Sequence, residues 1–161
     1  MPLSFVISAS GLLAIAAYTD VTRRIIPNWI PITLILLFIA ASAFRPLDSS
    51  FVYSFLVASV VFLVLAVAFA FNILGGGDVK LLAAVALWVG LAGILEFFLI
   101  TAMVGGALAL GMIAYQRLVL VFPIALPAGS AGTGAPAPTL PYGVAIAAAG
   151  CIVMIAQHAS L

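Results

Sequence analysis

Long apolar runs alternate with short polar turns along the whole chain. The first run is Leu3 to Thr19, and the polar stretch "DVTRRIIPN" (20–28) ends it. Pro27 and Pro31 bracket the start of a second run, 29–44. A brief loop, "RPLDSS" (45–50), leads to a third run over 51–74, rich in Val, Leu and Phe. Three glycines, Gly75, Gly76 and Gly77, then interrupt the pattern. A helix needs about 20 apolar residues to cross the hydrocarbon core, with roughly 17 as the lower limit. The next apolar stretch, 81–116, is too long for one crossing at about 1.5 Å per residue. Glycines at 90, 93, 105 and 106 and the charge of Glu96 punctuate it. It reads as two spans, 81–95 and 97–116, turning near Gly93 to Glu96. The stretch "LPAGSAGTGAPAPTLP" (126–141) has no charge and little to pack, and reads as a flexible connector. A last span covers 142–157. The expected fold is an all-α polytopic membrane protein. Six transmembrane helices form one domain over residues 1–161, with no apparent internal repeat.

Composition supports lipid as the main solvent. Of 161 residues, 67% are hydrophobic and 6% charged, against about a quarter charged in soluble domains. A net charge of +1 gives no reason to expect nucleic acid as a partner. Cys151 is the single cysteine, so neither a disulfide within the chain nor a Cys/His metal cluster is expected. Charges are absent before the first apolar run and follow it at Arg23 and Arg24, the reverse of a cleavable leader. The first run is thus expected to stay in the membrane with the N-terminus outside. The loops after spans one, three and five then carry Arg23, Arg24, Lys80 and Arg117, and the outer loops carry Arg45. That bias favours the same orientation.

Two acids gain meaning from this topology. Asp20 ends the first span and Asp78 precedes the fourth. Two crossings separate them, so parity returns both to one face, the cytoplasmic one. Carboxylates near a bilayer turn toward protein or a wet cavity. Two that meet do not easily both ionise, and they share a proton. One can then take a proton from water while the other donates to a scissile carbonyl. No metal, cofactor or activated Ser or Cys is needed. The glycine triplet would lower helicity and clear side chains from beside Asp78. Blander readings exist for each piece. Asp20 alone is most simply an interfacial residue, and a glycine run alone is loop punctuation. Lys80, Arg23 and Arg24 suit cytoplasmic anchors, Asp48 and Glu96 outer-loop charges, and His158 a solvated terminal side chain. Two rival functions compete for the same chain. In one, a small transporter or channel subunit relays protons through Asp20 and Asp78. In the other, a non-catalytic assembly partner packs through small residues such as Ala102 and Gly106.

"DVTRRIIPNW" (20–29), followed by "GGGDVKLLAAVALWVG" (75–90), resembles the type IV prepilin peptidases. Gly75 to Asp78 fit the Gly-x-Gly-Asp signature of intramembrane aspartyl proteases. "LPYGVAIAAAG" (140–150) resembles that family's last-helix segment. The resemblance maps Asp20 and Asp78 onto the catalytic pair, and Gly75 and Gly77, with Gly76 between them, onto the signature. Pro27, Asn28, Lys80, Pro141, Tyr142 and Gly143 match recurring positions that would shape the active site or meet substrate. The chain lacks the cytoplasmic Cys-x-x-Cys insertion of bifunctional members, so it resembles the short tight-adherence (Flp-type) branch, without methylation. The family implies cleavage of a short basic leader from prepilins or pseudopilins at the cytoplasmic face of the bacterial inner membrane. The implied partners are that substrate, membrane lipid and the pilus-assembly machinery.

Overall fold

The structure is a computed structural model and describes residues 2–44, 49–121 and 140–159. Arg45, Asp48 and positions 126–139 of the expected connector lie outside the described residues. The elements are α1 (Leu3–Arg23), α2 (Trp29–Ser42), α3 (Ser49–Ala70), α4 (Gly76–Val121) and α5 (Tyr142–Ala159). No strand occurs among the described residues. Four helices are long and apolar enough to cross a membrane, and α2 is a shorter apolar helix. Large apolar side chains point outward along their length, among them Leu63, Leu95 and Leu110. Such a surface is stable against lipid tails and not against water. The protein is a multi-pass membrane protein.

α4 has 46 residues; as a straight rod it would reach about 69 Å, more than twice the ~30 Å hydrocarbon thickness. It is not straight. Gly90 has φ 58° and ψ −165°, a left-handed backbone that glycine adopts without penalty. A Cβ there would also sit 2.9 Å from Ser54 Oγ. The carbonyl of Val89, beside the break, accepts the Gln157 Nε2–H at 3.0 Å. Beyond the break the chain returns. Gly93 packs on Val153 and Gln157 near the end of α5, and Gly105 packs on Tyr142 at its start. The two arms of α4 are therefore antiparallel, as two separate spans would be. The reversal sits at Gly90, not at Gly93–Glu96. Gly93 stays helical because it is the contact point with α5, where a Cβ would lie 2.8 Å from Val153 Cγ1.

From Leu81 to Val89 the first arm of α4 is almost wholly buried, with Leu81, Val85, Ala86 and Val89 nearly inaccessible and Ala83 partly exposed. A helix apolar all round is a core helix, and this arm is the spine of the fold. α2, α3 and α5 pack on α4, and α1 packs on α2 and α5. Gly150 lets Val85 and Leu13 meet α5 closely. Trp88 Nε1–H donates to the Leu34 carbonyl at 3.0 Å and ties the spine to α2.

α3 ends at Ala70, short of the expected Leu74. Asn72 takes a left-handed φ of 56°. The Ile73 N–H donates to Ala68 O at 3.0 Å, and the Asn72 N–H donates to Phe69 O at 2.9 Å. This pair of bonds is a Schellman closure, with Asn in place of the usual Gly. The glycine triplet also departs from expectation. Gly76 and Gly77 lie inside the first turn of α4, so that helix starts at Gly76 and not at Leu81.

Candidate active site

The buried positions of α1 are Val6, Ala9, Leu13, Ala16 and Asp20. Their alternating spacing of three and four is a single inward stripe. Asp20 is its last member and is 7% exposed, so the helix register alone drives this carboxyl into the protein. Arg24 closes α1 with φ 54°, its N–H bonded to the Asp20 carbonyl at 3.0 Å.

The Asp20 side chain finds its partner 123 positions away. The Gly143 N–H donates to Asp20 Oδ2 at 2.7 Å, and the Val144 N–H faces the same carboxyl. These groups belong to the first turn of α5, whose N–H donors have no intrahelical acceptor. Pro141 precedes the turn and has no side-chain acceptor to offer. Asp20 thus caps α5 from another helix, at the end where the helix dipole favours negative charge. Gly143 makes the approach possible: a Cβ on it would lie 2.9 Å from Asp20 Oδ2 and 3.0 Å from both Cβ and Cγ.

Asp78 is the third residue of α4 and is half-buried. Its carboxyl turns back to the Gly75 N–H, the reach an acid makes in a capping box. A Cβ on Gly75 would lie 2.9 Å from Asp78 Oδ2. Gly77 packs on Ile26, where a Cβ would come within 3.1 Å of Ile26 Cβ. Gly76 packs on the Phe69 ring at the end of α3. The triplet therefore works by clearing space around a helix start and not by unwinding it. Removing side chains lets α4, α3 and the 24–28 turn crowd together around Asp78.

Asp20 and Asp78 are close enough for the charge of one to act on the other. The Arg24 guanidinium lies within electrostatic reach of Asp20. The fold thus brings together two acids 58 positions apart, each presented at a helix N-terminus. Asn28 and Lys80 form a second pair beside them, with Lys80 Nζ donating to Asn28 Oδ1 at 2.9 Å. Asn28 occupies the cap position of α2 but makes no side-chain cap bond; its amide oxygen accepts from Lys80 instead. Pro27 offers its carbonyl to the Ile30 N–H at 3.1 Å and starts α2. Tyr142 turns its ring onto Gly105 in the second arm of α4. Among the described residues no three His, Cys, Asp or Glu side chains converge.

Two partners in this arrangement, Ile26 from the 20–29 motif and Gly105 from the glycines of the fourth apolar stretch, were not read from the sequence as site residues. Ile26 forms the wall opposite Gly77, and Gly105 makes room for Tyr142. Ile26 is one apolar residue within a polar turn, and Gly105 is one of many glycines, so neither stands out before the helices are placed. Asp20 did carry a signal, in its place at the end of the 6-9-13-16 stripe.

No curated protein and no solved structure matches the chain. A family model does match, over residues 7–110, well over half of the chain. That range holds both aspartates, the glycine triplet and the Asn28–Lys80 pair, and by this match the chain belongs to the type IV leader peptidase family.

Proposed function

We propose that this hydrolase cuts the short basic leader from a prepilin or pseudopilin with Asp20 and Asp78 as its catalytic pair. The chain is a prepilin peptidase by family, and family membership favours hydrolysis over a proton relay. In the proposed reaction one carboxylate accepts a proton from water and the water oxygen attacks the scissile carbonyl. The other carboxyl donates a hydrogen bond to that carbonyl oxygen. Collapse of the adduct breaks the C–N bond. The proton taken from water leaves with the amine, and the acid pair returns to its starting state.

One observation supports this most. Two acids far apart in sequence reach one end of the helix bundle, each held by backbone N–H groups at the start of a helix. Burial without such partners would be costly for either group. The reading includes the cytoplasmic face of a bacterial inner membrane as the working side, from the bias of Arg23, Arg24, Lys80 and Arg117. It also includes the short Flp-type branch, from the missing insertion.

The test is processing of a co-expressed prepilin, read as a mobility shift. Asp20→Asn and Asp78→Asn should each leave the precursor uncut while the chain still extracts as a folded, monodisperse species. Full processing by either variant would remove the dyad.

A further inference from the structure

α2 and α3 are consecutive helices that part company along the spine. At one end Phe38 of α2 stacks on Phe51 of α3 with ring centroids 5.8 Å apart, and Trp88 and Phe55 pack edge-on against the same ring. Toward the Asp78 end the two helices diverge. A cleft of about 600 Å³ opens between them over the first arm of α4. Its facing walls include Ile32 on α2 and Leu63 on α3, and its floor includes Ala84. At its open end are Asn28 and Lys80.

We infer that this cleft seats the hydrophobic helix of the leader-bearing substrate, so that the leader stretch preceding that helix reaches Asp78 at the start of α4. The inference rests on the peptidase reading above and adds where the membrane-embedded part of the substrate docks. Three features select a helix as occupant. The first is the lining. Ala58, Ser59 and Ala84 are small, and small residues are what let one membrane helix approach another closely. The second is size. From Lys80 to Leu87 the cleft follows about two turns of α4, and two turns of a helix ~10 Å wide fill roughly 850 Å³. A 600 Å³ cleft takes in most of that girth and leaves the rest against lipid, as suits a guest that must enter and leave sideways. The third is continuity with the acids. Lys80 lies two residues beyond Asp78, on another face of the same helical turn, so the cleft opens at the Asp78 end of the spine and the substrate chain rounds the start of α4 to reach the acids. The aromatic cluster closes the opposite end and limits how far the guest can sink. At the open end an ammonium has three donors, and the Asn28 bond uses one. The others suit backbone carbonyls of the extended stretch that precedes the helix.

The test is site-specific photo-crosslinking in membranes, with full-length chain and co-expressed prepilin. The crosslinking residue replaces Ile32 or Leu63, both exposed on the cleft walls. Control positions are Ile7 on α1 and Ile155 on α5, exposed elsewhere. An Asp78→Asn background holds the substrate uncut. Adducts of prepilin mass are expected from the two cleft positions, at least tenfold above the controls. Adducts chiefly from Ile7 or Ile155, or only to lipid from the cleft, while the unaltered chain processes prepilin, would overturn the docking site alone. Failure of the unaltered chain to process any prepilin would overturn the peptidase reading together with it.

Discussion

Gly143→Ala is the smallest change that should disable the candidate site. It adds one methyl group, 2.9 Å from Asp20 Oδ2 and 3.0 Å from Asp20 Cβ and Cγ. Carbon contacts are comfortable at about 3.5–4.0 Å, so Asp20 and the start of α5 must separate by roughly 0.5–1 Å. Asp20 has little freedom to yield, since it continues the packed stripe of α1. The 2.7 Å bond from the Gly143 N–H would then stretch past the usual ~3.2 Å limit. Losing a hydrogen bond to a charged group costs about 1.5–3 kcal/mol. A displacement near 1 Å at a reacting group can cost about a hundredfold in rate. The expected outcome is a ten- to hundredfold slower conversion of prepilin, followed over time in membranes with matched amounts of chain. Gly106→Ala is the control, because a Cβ there meets nothing within 4 Å. Wild-type speed for Gly143→Ala, or equal slowing by Gly106→Ala, would refute the reasoning.

Gly77→Ala should also slow processing, by crowding Ile26 at 3.1 Å, and Ile26→Ala in the same chain should restore part of the rate. Gly90→Ala should lower thermal stability in detergent by about 1–3 kcal/mol, since it combines a left-handed φ with a clash on Ser54. Adding Ser54→Ala should recover only the clash component. Asn72→Gly should keep or raise the melting temperature and Asn72→Ala should lower it by the equivalent of about 1 kcal/mol, because the α3 closure needs a left-handed residue there. Equal melting temperatures for the two would mean that the closure contributes nothing.

Much of this fold could be read from hydropathy, because each apolar run is long enough to be a helix and polar or glycine-rich breaks separate most of the runs. What hydropathy could not read was where helices end. Asn72 and Gly90 set two of those ends through left-handed backbone, and an apolar run gives no sign of it. Ile73 and Leu74 look like the continuation of α3 but lie beyond its closure. The acids were legible through their position in the pattern, and the parity of two intervening spans placed them at one end. The role of the glycine triplet was half legible. Space beside Asp78 was foreseen, but Gly76 and Gly77 were expected to open the backbone, and tertiary packing on Phe69 and Ile26 makes them helical instead. Gly143 was singled out only through the family resemblance, and its contact with Asp20 is the part that sequence hides. Its importance comes from Asp20, and nothing local to either residue announces the other.

The Asp20 carboxyl is also a clasp between the first helix and the last. Truncating it to Ala would strand two peptide donors at the head of α5, and that helix would lose its anchorage along with any chemistry. Asn keeps an oxygen for those donors. An inactive Asp20→Ala protein would therefore report a detached helix as readily as a missing acid, whereas an inactive Asp20→Asn protein would report the proton.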